Sequence, residues 1–225
     1  DSRNKSLYQF ELTDKTVSVL KEAVTNIAFG TLWQEDKILL AAANGGIIID
    51  EKNNVTDINN FSPLPEITDA VGYNSRLYLL SAPQNNIFRY ARDFSARAPW
   101  IKENLNITAA VGLDIDGYIY VLKNNGEVIR LLSGYVNEFK LAAVNPPLAN
   151  PQKIKLTGDS EKGLVYILEP AQTRLVVFAK SGQFLLQYKL PTLTNLKDFA
   201  VREPEKKILL LNDASIYEIA MEELQ

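Results

Sequence analysis

Acidic and basic residues occur in stretches of this chain that are otherwise rich in apolar and small residues. The five that stand out are Asp69, Asp114, Lys155, Lys197 and Asp198. Charges of both signs that converge in a folded protein can orient a polar ligand or the loop of a partner. The same groups can instead be solvated and paired with one another, because buried charges persist mainly when they are paired. We expect these residues to form a ligand- or partner-binding surface, with mutual pairing as the alternative.

The acidic residues also suggest a second chemistry, calcium-assisted hydrolysis. Carboxylate oxygens are ligands for Ca²⁺, and the candidates are Asp69, Asp114, Asp159 and Asp198. The stretch "LDIDGY" at 113–118 is similar to the start of a calcium-binding loop, but the Glu at the twelfth position and the flanking helices do not follow. It therefore predicts a plain hairpin turn. We expect no metal, no cofactor and no catalytic residue, and a calcium-dependent hydrolase is the alternative.

Two residue types that carry much of enzyme chemistry are absent, since the 225-residue chain has no His and no Cys. A Ser-His-Asp triad, a thiol nucleophile and the usual zinc ligands are therefore excluded. The net charge of −3, with Lys and Arg scattered, argues against a nucleic acid partner, because phosphate binding needs a clustered basic surface. No apolar run approaches the roughly 18 to 20 residues that span a bilayer. We expect no membrane segment in this chain, although sequence upstream could anchor it.

Three kinds of short apolar run recur along the chain at a spacing of about forty residues. The run "RLVVFAK" from Arg174 has counterparts at "SLYQFEL", "GIIIDEK", "NIFRYAR", "EVIRLLS" and "SIYEIAM". The run before it, "LVYILE" from Leu164, is apolar on both faces, as in strands packed between neighbouring sheets. An earlier run, such as "NITAAVGL" from Asn106, carries small residues and suits an innermost strand. The links are too short for crossover helices, so the strands must be antiparallel neighbours.

These repeats predict an all-β fold, a β-propeller of four-stranded antiparallel blades in a single domain over residues 1–225. Six blades are favoured because the third-strand run occurs six times. The first blade would be incomplete in this chain, and we expect its two inner strands to be encoded upstream of Asp1. Five blades are the alternative. Helix is expected only as short turns, and the tyrosines at one repeat position, Tyr78, Tyr120 and Tyr166, are expected to pack between blades.

The repeat also predicts where the charged residues lie. The inner strands of a propeller converge on one axis, so residues far apart in sequence become neighbours there. We therefore expect the five charged residues to meet at one mouth of a central channel.

The stretch "YILEPAQTRLVVFAKSGQFLLQY" at 166–188 is similar to the repeat of NHL-type propellers, in which a Tyr-containing strand leads through a turn to an Arg-Val/Leu-x-Val-Phe strand and a Gly hairpin. More loosely, the chain resembles the C-terminal propeller region of bacterial membrane-anchored proteins, some with a PPM-type phosphatase-like domain. The second resemblance implies a sensory or docking role on the extracytoplasmic side of a bacterial membrane.

We therefore expect a non-enzymatic binding module, the sensory or protein-docking propeller of a larger bacterial cell-envelope protein. Its partner would be a protein or a small polar ligand. The alternative is a calcium-dependent hydrolase of the six-bladed propeller lactonase type.

Overall fold

Short antiparallel strands and tight turns make up nearly all of the regular structure. The computed structural model describes residues 6–11, 13–21, 27–34, 37–42 and 45–222. Helix is limited in these residues to two 3-10 turns, Pro170–Gln172 and Glu203–Glu205. Neither turn, nor any other helix in the described part of the chain, is long and apolar enough to cross a membrane.

The chain divides into two compact units, Asp1–Trp100 and Ile101–Gln225, so the single domain over 1–225 stays a prediction. The strands of the first unit are β1 (Leu7–Phe10), β2 (Val17–Lys21), β3 (Ile27–Trp33), β4 (Lys37–Ala42), β5 (Gly45–Ile49), β6 (Val55–Asp57), β7 (Asp69–Tyr73), β8 (Arg76–Ser81), β9 (Asn86–Tyr90) and β10 (Arg97–Pro99). Strands β3 to β6 form one antiparallel meander and β7 to β10 form another, whereas β1 pairs with β2 in a hairpin.

The second unit contains two four-stranded meanders and one three-stranded meander. Its strands are β11 (Ala110–Ile115), β12 (Ile119–Lys123), β13 (Val128–Leu132), β14 (Tyr135–Asn137), β15 (Lys153–Leu156), β16 (Leu164–Glu169), β17 (Arg174–Ala179), β18 (Phe184–Lys189), β19 (Leu196–Arg202), β20 (Lys207–Asn212) and β21 (Ser215–Ala220). The sheets are β11 to β14, β15 to β18 and β19 to β21, each in chain order. The predicted antiparallel connections are therefore confirmed.

The prediction of six blades is wrong. Within the described residues, five sheets have the meander of a blade, beginning at β3, β7, β11, β15 and β19, and β1 with β2 forms only a two-stranded hairpin. The run "SLYQFEL" matched the third-strand pattern and does contain a strand, β1. A repeat pattern identifies a strand, but the number of sheets depends on which strands pair, and a lone hairpin is not a blade.

Apolar residues of the middle strands form the core of the first unit between its two meanders. Leu39, Leu77 and Leu79 are fully buried there. An aromatic group completes this core, in which the Trp33 and Phe94 rings lie 5.0 Å apart and the Phe61 and Tyr90 rings 5.1 Å apart. Burial of these large side chains contributes most of the stabilisation expected for such a core.

The core of the second unit follows the prediction that middle strands are buried on both faces. On β16, Val165, Ile167 and Leu168 are all fully buried, and the same holds for Leu175 and Val176 on β17. Strands covered on both sides have no solvent-facing alternation, which explains why these runs are continuously apolar. The predicted packing of tyrosines between sheets is confirmed for the buried Tyr120 and Tyr166, whose clusters include residues of adjacent sheets.

Candidate functional site

The predicted site residues lie on the first strands of four of the five meanders, β7, β11, β15 and β19. In the first unit β3 packs beside β7, and in the second unit β15 packs beside both β11 and β19. Strands β3, β11 and β19 each contain an irregularity of register near their start, between Ile27 and Phe29, Ala110 and Gly112, and Leu196 and Asp198. A β-bulge of this kind re-aims the following side chains. Bulges therefore help to decide which way the side chains of the inner strands point.

Each of the three predicted carboxylates accepts the same type of local hydrogen bond, from the backbone N–H of the next residue. Oδ1 of Asp69 accepts from the N–H of the next residue, Ala70, at 3.0 Å. The equivalent distances are 2.9 Å for Asp114 and 2.8 Å for Asp198. Asp69 is buried, with 6% of its surface exposed, whereas the other two are half-buried. Each carboxylate is thus oriented by its own strand, which limits its rotation.

Asp114 also connects two sheets. Its Oδ2 accepts from the N–H of Leu156, on the neighbouring strand β15, at 2.7 Å. Thr31 makes the corresponding contact in the first unit, where its Oγ1 accepts from the N–H of Gly72 on β7 at 2.8 Å. Both residues stand two positions after the bulge residue pair, opposite Leu39 and Tyr120 of the next strand. This position is a brace between adjacent inner strands, and Asp114 fills it with a charge.

The two predicted lysines differ in exposure. Lys155 lies on β15 opposite Tyr166 and is half-buried. Lys197 is exposed, and it is the extra residue of the β19 bulge, directly before Asp198. The structure thus brings Asp114 beside the strand of Lys155 and places Lys197 next to Asp198. Asp69 belongs to the first unit, and the binding role of the five residues stays a prediction.

Asp159, the remaining candidate for calcium, lies outside the inner strands. It occupies the turn between β15 and β16, where its Oδ1 accepts from the N–H groups of Lys162 at 2.7 Å and Glu161 at 2.8 Å. These two backbone hydrogen bonds, the one from Lys162 first, lower the pKa of Asp159. In the ranges that the structure describes, no group of three or more His, Cys, Asp or Glu side chains is placed to hold a metal ion.

Two buried ion pairs were not predicted from the sequence. Arg174 Nη2 lies 2.6 Å from Glu169 Oε2, and the two side chains are 3% and 0% exposed. Lys180 Nζ lies 2.6 Å from Asp116 Oδ2 with similar burial. Buried charges are tolerated only with such partners. The one available signal was a charged residue at the end of an apolar run, which does not distinguish a buried pair from a solvated end.

A row of polar residues crosses the β11–β14 sheet. Tyr120, Arg130 and Asn137 stand opposite one another on β12, β13 and β14. The Arg130 guanidinium lies 4.8 Å from the ring centre of Tyr118 and 5.0 Å from that of Phe139. Burial raises the pKa of the Tyr120 hydroxyl, and the nearby Arg130 lowers it by less. The Arg130 cation thus contacts two aromatic rings, and the quadrupole of each ring attracts it.

Comparison with known proteins shows the fold. No family model matches the chain, and no curated protein matches it in sequence. A gluconolactonase from Xanthomonas campestris is similar in structure with a TM-score of 0.72 and 12% identity, over 99% of this chain and 80% of that one. Virginiamycin B lyase from Staphylococcus aureus follows with a TM-score of 0.59 and 17% identity over the same shares.

A chain from a nidogen–laminin complex is also similar, with a TM-score of 0.59 and 12% identity, over 82% of this chain and 72% of that one. These structures are β-propellers, so the chain has an all-β propeller fold with four-stranded antiparallel blades. The resemblance to NHL-type repeats is not confirmed. Because the same fold serves enzymes and other proteins, it leaves both an enzymatic and a binding role open.

Proposed function

We propose that this protein is a non-enzymatic binding module that takes a protein loop or a small polar ligand on the ends of its inner strands. The observation that best supports this proposal is the pair of opposite charges at the β19 bulge. Lys197 is exposed there, and the neighbouring Asp198 carboxylate is held by the N–H of Phe199 at 2.8 Å. Opposite charges on adjacent residues of a fixed strand present a defined polar pattern to a partner.

Pre-organisation supports this proposal. The carboxylates of Asp114 and Asp198, both in the second unit, are each oriented by a backbone amide before any partner arrives. A group that is already ordered loses less conformational entropy on binding than a free side chain does. Asp114 and Lys155 on neighbouring strands would extend the polar pattern of Lys197 and Asp198.

The setting of the proposal follows the resemblance to propeller regions of bacterial envelope proteins. We place the module on the extracytoplasmic side of a bacterial membrane, as the sensory or docking part of a larger protein. A partner of the same compartment is then expected, either a protein or a polar metabolite, and nucleic acid is not.

The substitution Lys197→Ala tests the proposal in a pull-down. Immobilised wild-type and variant proteins are incubated with bacterial envelope extract, and the retained proteins are compared by mass spectrometry. Lys189→Ala is the matched control, because Lys189 is an exposed lysine on the outer strand β18 of the same unit. We expect a retained partner to be lost with Lys197→Ala and kept with Lys189→Ala. Equal retention by both variants would overturn the assignment of Lys197.

Calcium titration tests the enzyme alternative. A ligand that binds only the folded state raises the melting temperature, so a metal-dependent hydrolase would be stabilised by low concentrations of Ca²⁺. We expect no change in the melting temperature between calcium and a chelator. A clear rise that Asp69→Asn or Asp198→Asn removes would replace the binding module by the hydrolase.

A further inference from the structure

The segment 138–152, which connects β14 to β15, has no regular secondary structure but is held firmly in place. Connections of this length without strands or helices are uncommon in compact domains and often carry function. Within the second unit the segment contacts three features: a buried ion pair, two hairpins that contain glycine, and a group of aromatic side chains.

The buried pair of Glu169 and Arg174 clamps the second half of the segment. Glu169 Oε1 accepts from the N–H groups of Ala149 at 2.7 Å and Asn150 at 3.2 Å. Arg174 Nη2 donates to the carbonyl oxygen of Pro146 at 2.8 Å. Because both charges are removed from water, these hydrogen bonds are stronger than exposed ones. The segment is thereby held at Pro146, Ala149 and Asn150.

Two glycine turns let the segment approach the sheets closely. A Cβ added at Gly182 would lie 2.1 Å from the carbonyl oxygen of Lys140, and one at Gly126 would lie 2.5 Å from Cβ of Leu148. Both glycines also have positive φ, which disfavours other residues. The N–H of Ala142 donates to the carbonyl of Gly182 at 2.8 Å. The segment therefore lies directly against both hairpins.

Beside the contact of Gly126 with Leu148, the segment and the hairpin at 125–128 line a pocket of about 550 Å³ that is open to solvent; it is called the cavity below. Ligand pockets commonly have volumes of roughly 300 to 1,000 Å³. Its lining is mainly apolar and includes Val128, Phe139, Leu141, Val144 and Leu148. Phe139 forms a fixed wall, because its ring packs edge-on against Tyr120 at 5.2 Å and faces the Arg130 guanidinium. One side of the cavity is thus an aromatic ring that packs against the β11–β14 sheet.

Charge at the cavity is uneven. Glu127 and Lys140 both line it, but the Glu127 carboxylate is already neutralised by Lys123, whose Nζ lies 3.1 Å away. Lys140 is exposed and takes part in none of the ion pairs among the described residues. The lining therefore has an apolar interior and a surplus of positive charge.

We propose that this cavity binds a small monocarboxylate with an apolar body. The hydrocarbon part would contact Phe139 and its apolar neighbours, where its removal from water is favourable by about 25 cal/mol per Å². The carboxylate would face the Lys140 ammonium group. The site is separate from the inner strands, so it is independent of the binding function proposed above.

Titration of the complete chain with octanoate, followed by ¹H–¹⁵N NMR, tests the proposal. We expect saturable shifts of the amides of Gly126, Phe139 and Leu148. Ala143→Trp should abolish them by filling the cavity, because Ala143 lines it. Ala171→Trp, at an exposed alanine of the same unit outside the cavity, should bind octanoate as the wild type does.

The charge is tested separately. Lys140→Met should weaken octanoate binding about fivefold, as expected for an exposed ion pair, and should not weaken binding of 1-octanol. Lys197→Ala should leave octanoate binding unchanged, which separates this site from the inner strands. The proposal is overturned by the absence of saturable shifts up to about 10 mM octanoate, by shifts confined to other residues, or by equal octanoate binding to the wild type and Ala143→Trp.

Discussion

Two corners of the second unit have the same local design and differ in burial. In one, the 3-10 turn Pro170–Gln172 lies between Glu169 and Arg174, and in the other the turn Glu203–Glu205 follows Arg202. Each corner holds an Arg–Glu pair. The Glu169–Arg174 side chains are at most 3% exposed, whereas those of Arg202 and Glu205 are 40% and 44% exposed.

The difference comes from the chain that covers the first corner. Segment 138–152 lies over Glu169 and Arg174, donates a backbone N–H to the Glu169 carboxylate and accepts a hydrogen bond from Arg174. In contrast, the Arg202–Glu205 pair is open to water, where ion pairs contribute about 1 kcal/mol or less. An Arg–Glu pair beside a similar local turn can therefore stabilise the fold strongly or weakly. The difference depends on whether another segment covers the pair.

Removing the cation of the buried corner should have the largest effect. Arg174→Met leaves the Glu169 carboxylate buried without its partner and should lower the free energy of unfolding by about 3 to 5 kcal/mol. Arg202→Met is the matched control and should cost less than about 1 kcal/mol. Urea denaturation followed by circular dichroism measures both. Similar losses for the two variants would show that the cover over the first corner has no energetic role.

Tyr90 tests the burial of a titratable group that is not part of an ion pair. Burial raises the pKa of Tyr90 from 10.0 to about 12, and Arg97 lowers it by less. Between these pH values the unfolded chain loses the phenol proton and the folded chain keeps it, so stability should fall as pH rises above 10. At 1.36 kcal/mol per pKa unit, the loss reaches about 2 to 3 kcal/mol near pH 12.

Tyr90→Phe isolates this contribution. The variant loses the hydrogen bond from the Tyr90 hydroxyl to the Ser62 carbonyl, 2.8 Å long, so it should be less stable at neutral pH by about 1 kcal/mol. Its disadvantage relative to the wild type should shrink or reverse above pH 10. Parallel stability profiles for the two proteins from pH 8 to 12 would contradict a raised pKa for Tyr90.

A neutral brace between inner strands should matter less than a buried ion pair. Thr31→Val removes the acceptor of the Gly72 N–H and keeps the side-chain shape, so it should cost about 1 kcal/mol. Thr31→Ser keeps the hydroxyl and serves as the control. Thermal denaturation compares the two variants. A Val variant as stable as the Ser variant would show that the hydrogen bond from Gly72 to Thr31 does not stabilise the protein.

The smallest effect on stability is expected at the proposed binding surface. Lys197 is exposed on a bulge, so Lys197→Ala should change the free energy of unfolding by less than about 0.5 kcal/mol. A loss above about 2 kcal/mol in urea denaturation would instead show that Lys197 pairs with a carboxylate, which was the alternative interpretation of these charges.

Much of the strand order was predictable because the signals are local. The runs "LVYILE" and "RLVVFAK" became β16 and β17, and the short links between runs permitted only antiparallel neighbours. The blade number was not predictable in the same way. The run that contains β1 has the same pattern as β17, but among the described residues it pairs only with β2, and pairing is a property of the assembled sheets.

For the site residues, too, some properties follow from the sequence and others only from the tertiary structure. The sequence by itself determined that charges stand in the inner strands, and that His and Cys chemistry is absent. Only the tertiary structure decided that Asp114 braces β15, that Lys197 is exposed on a bulge, and that Glu169 and Arg174 are buried. The physical reason is that strand formation depends on neighbours in sequence, whereas the burial and pairing of a charge depend on whichever distant segment covers it.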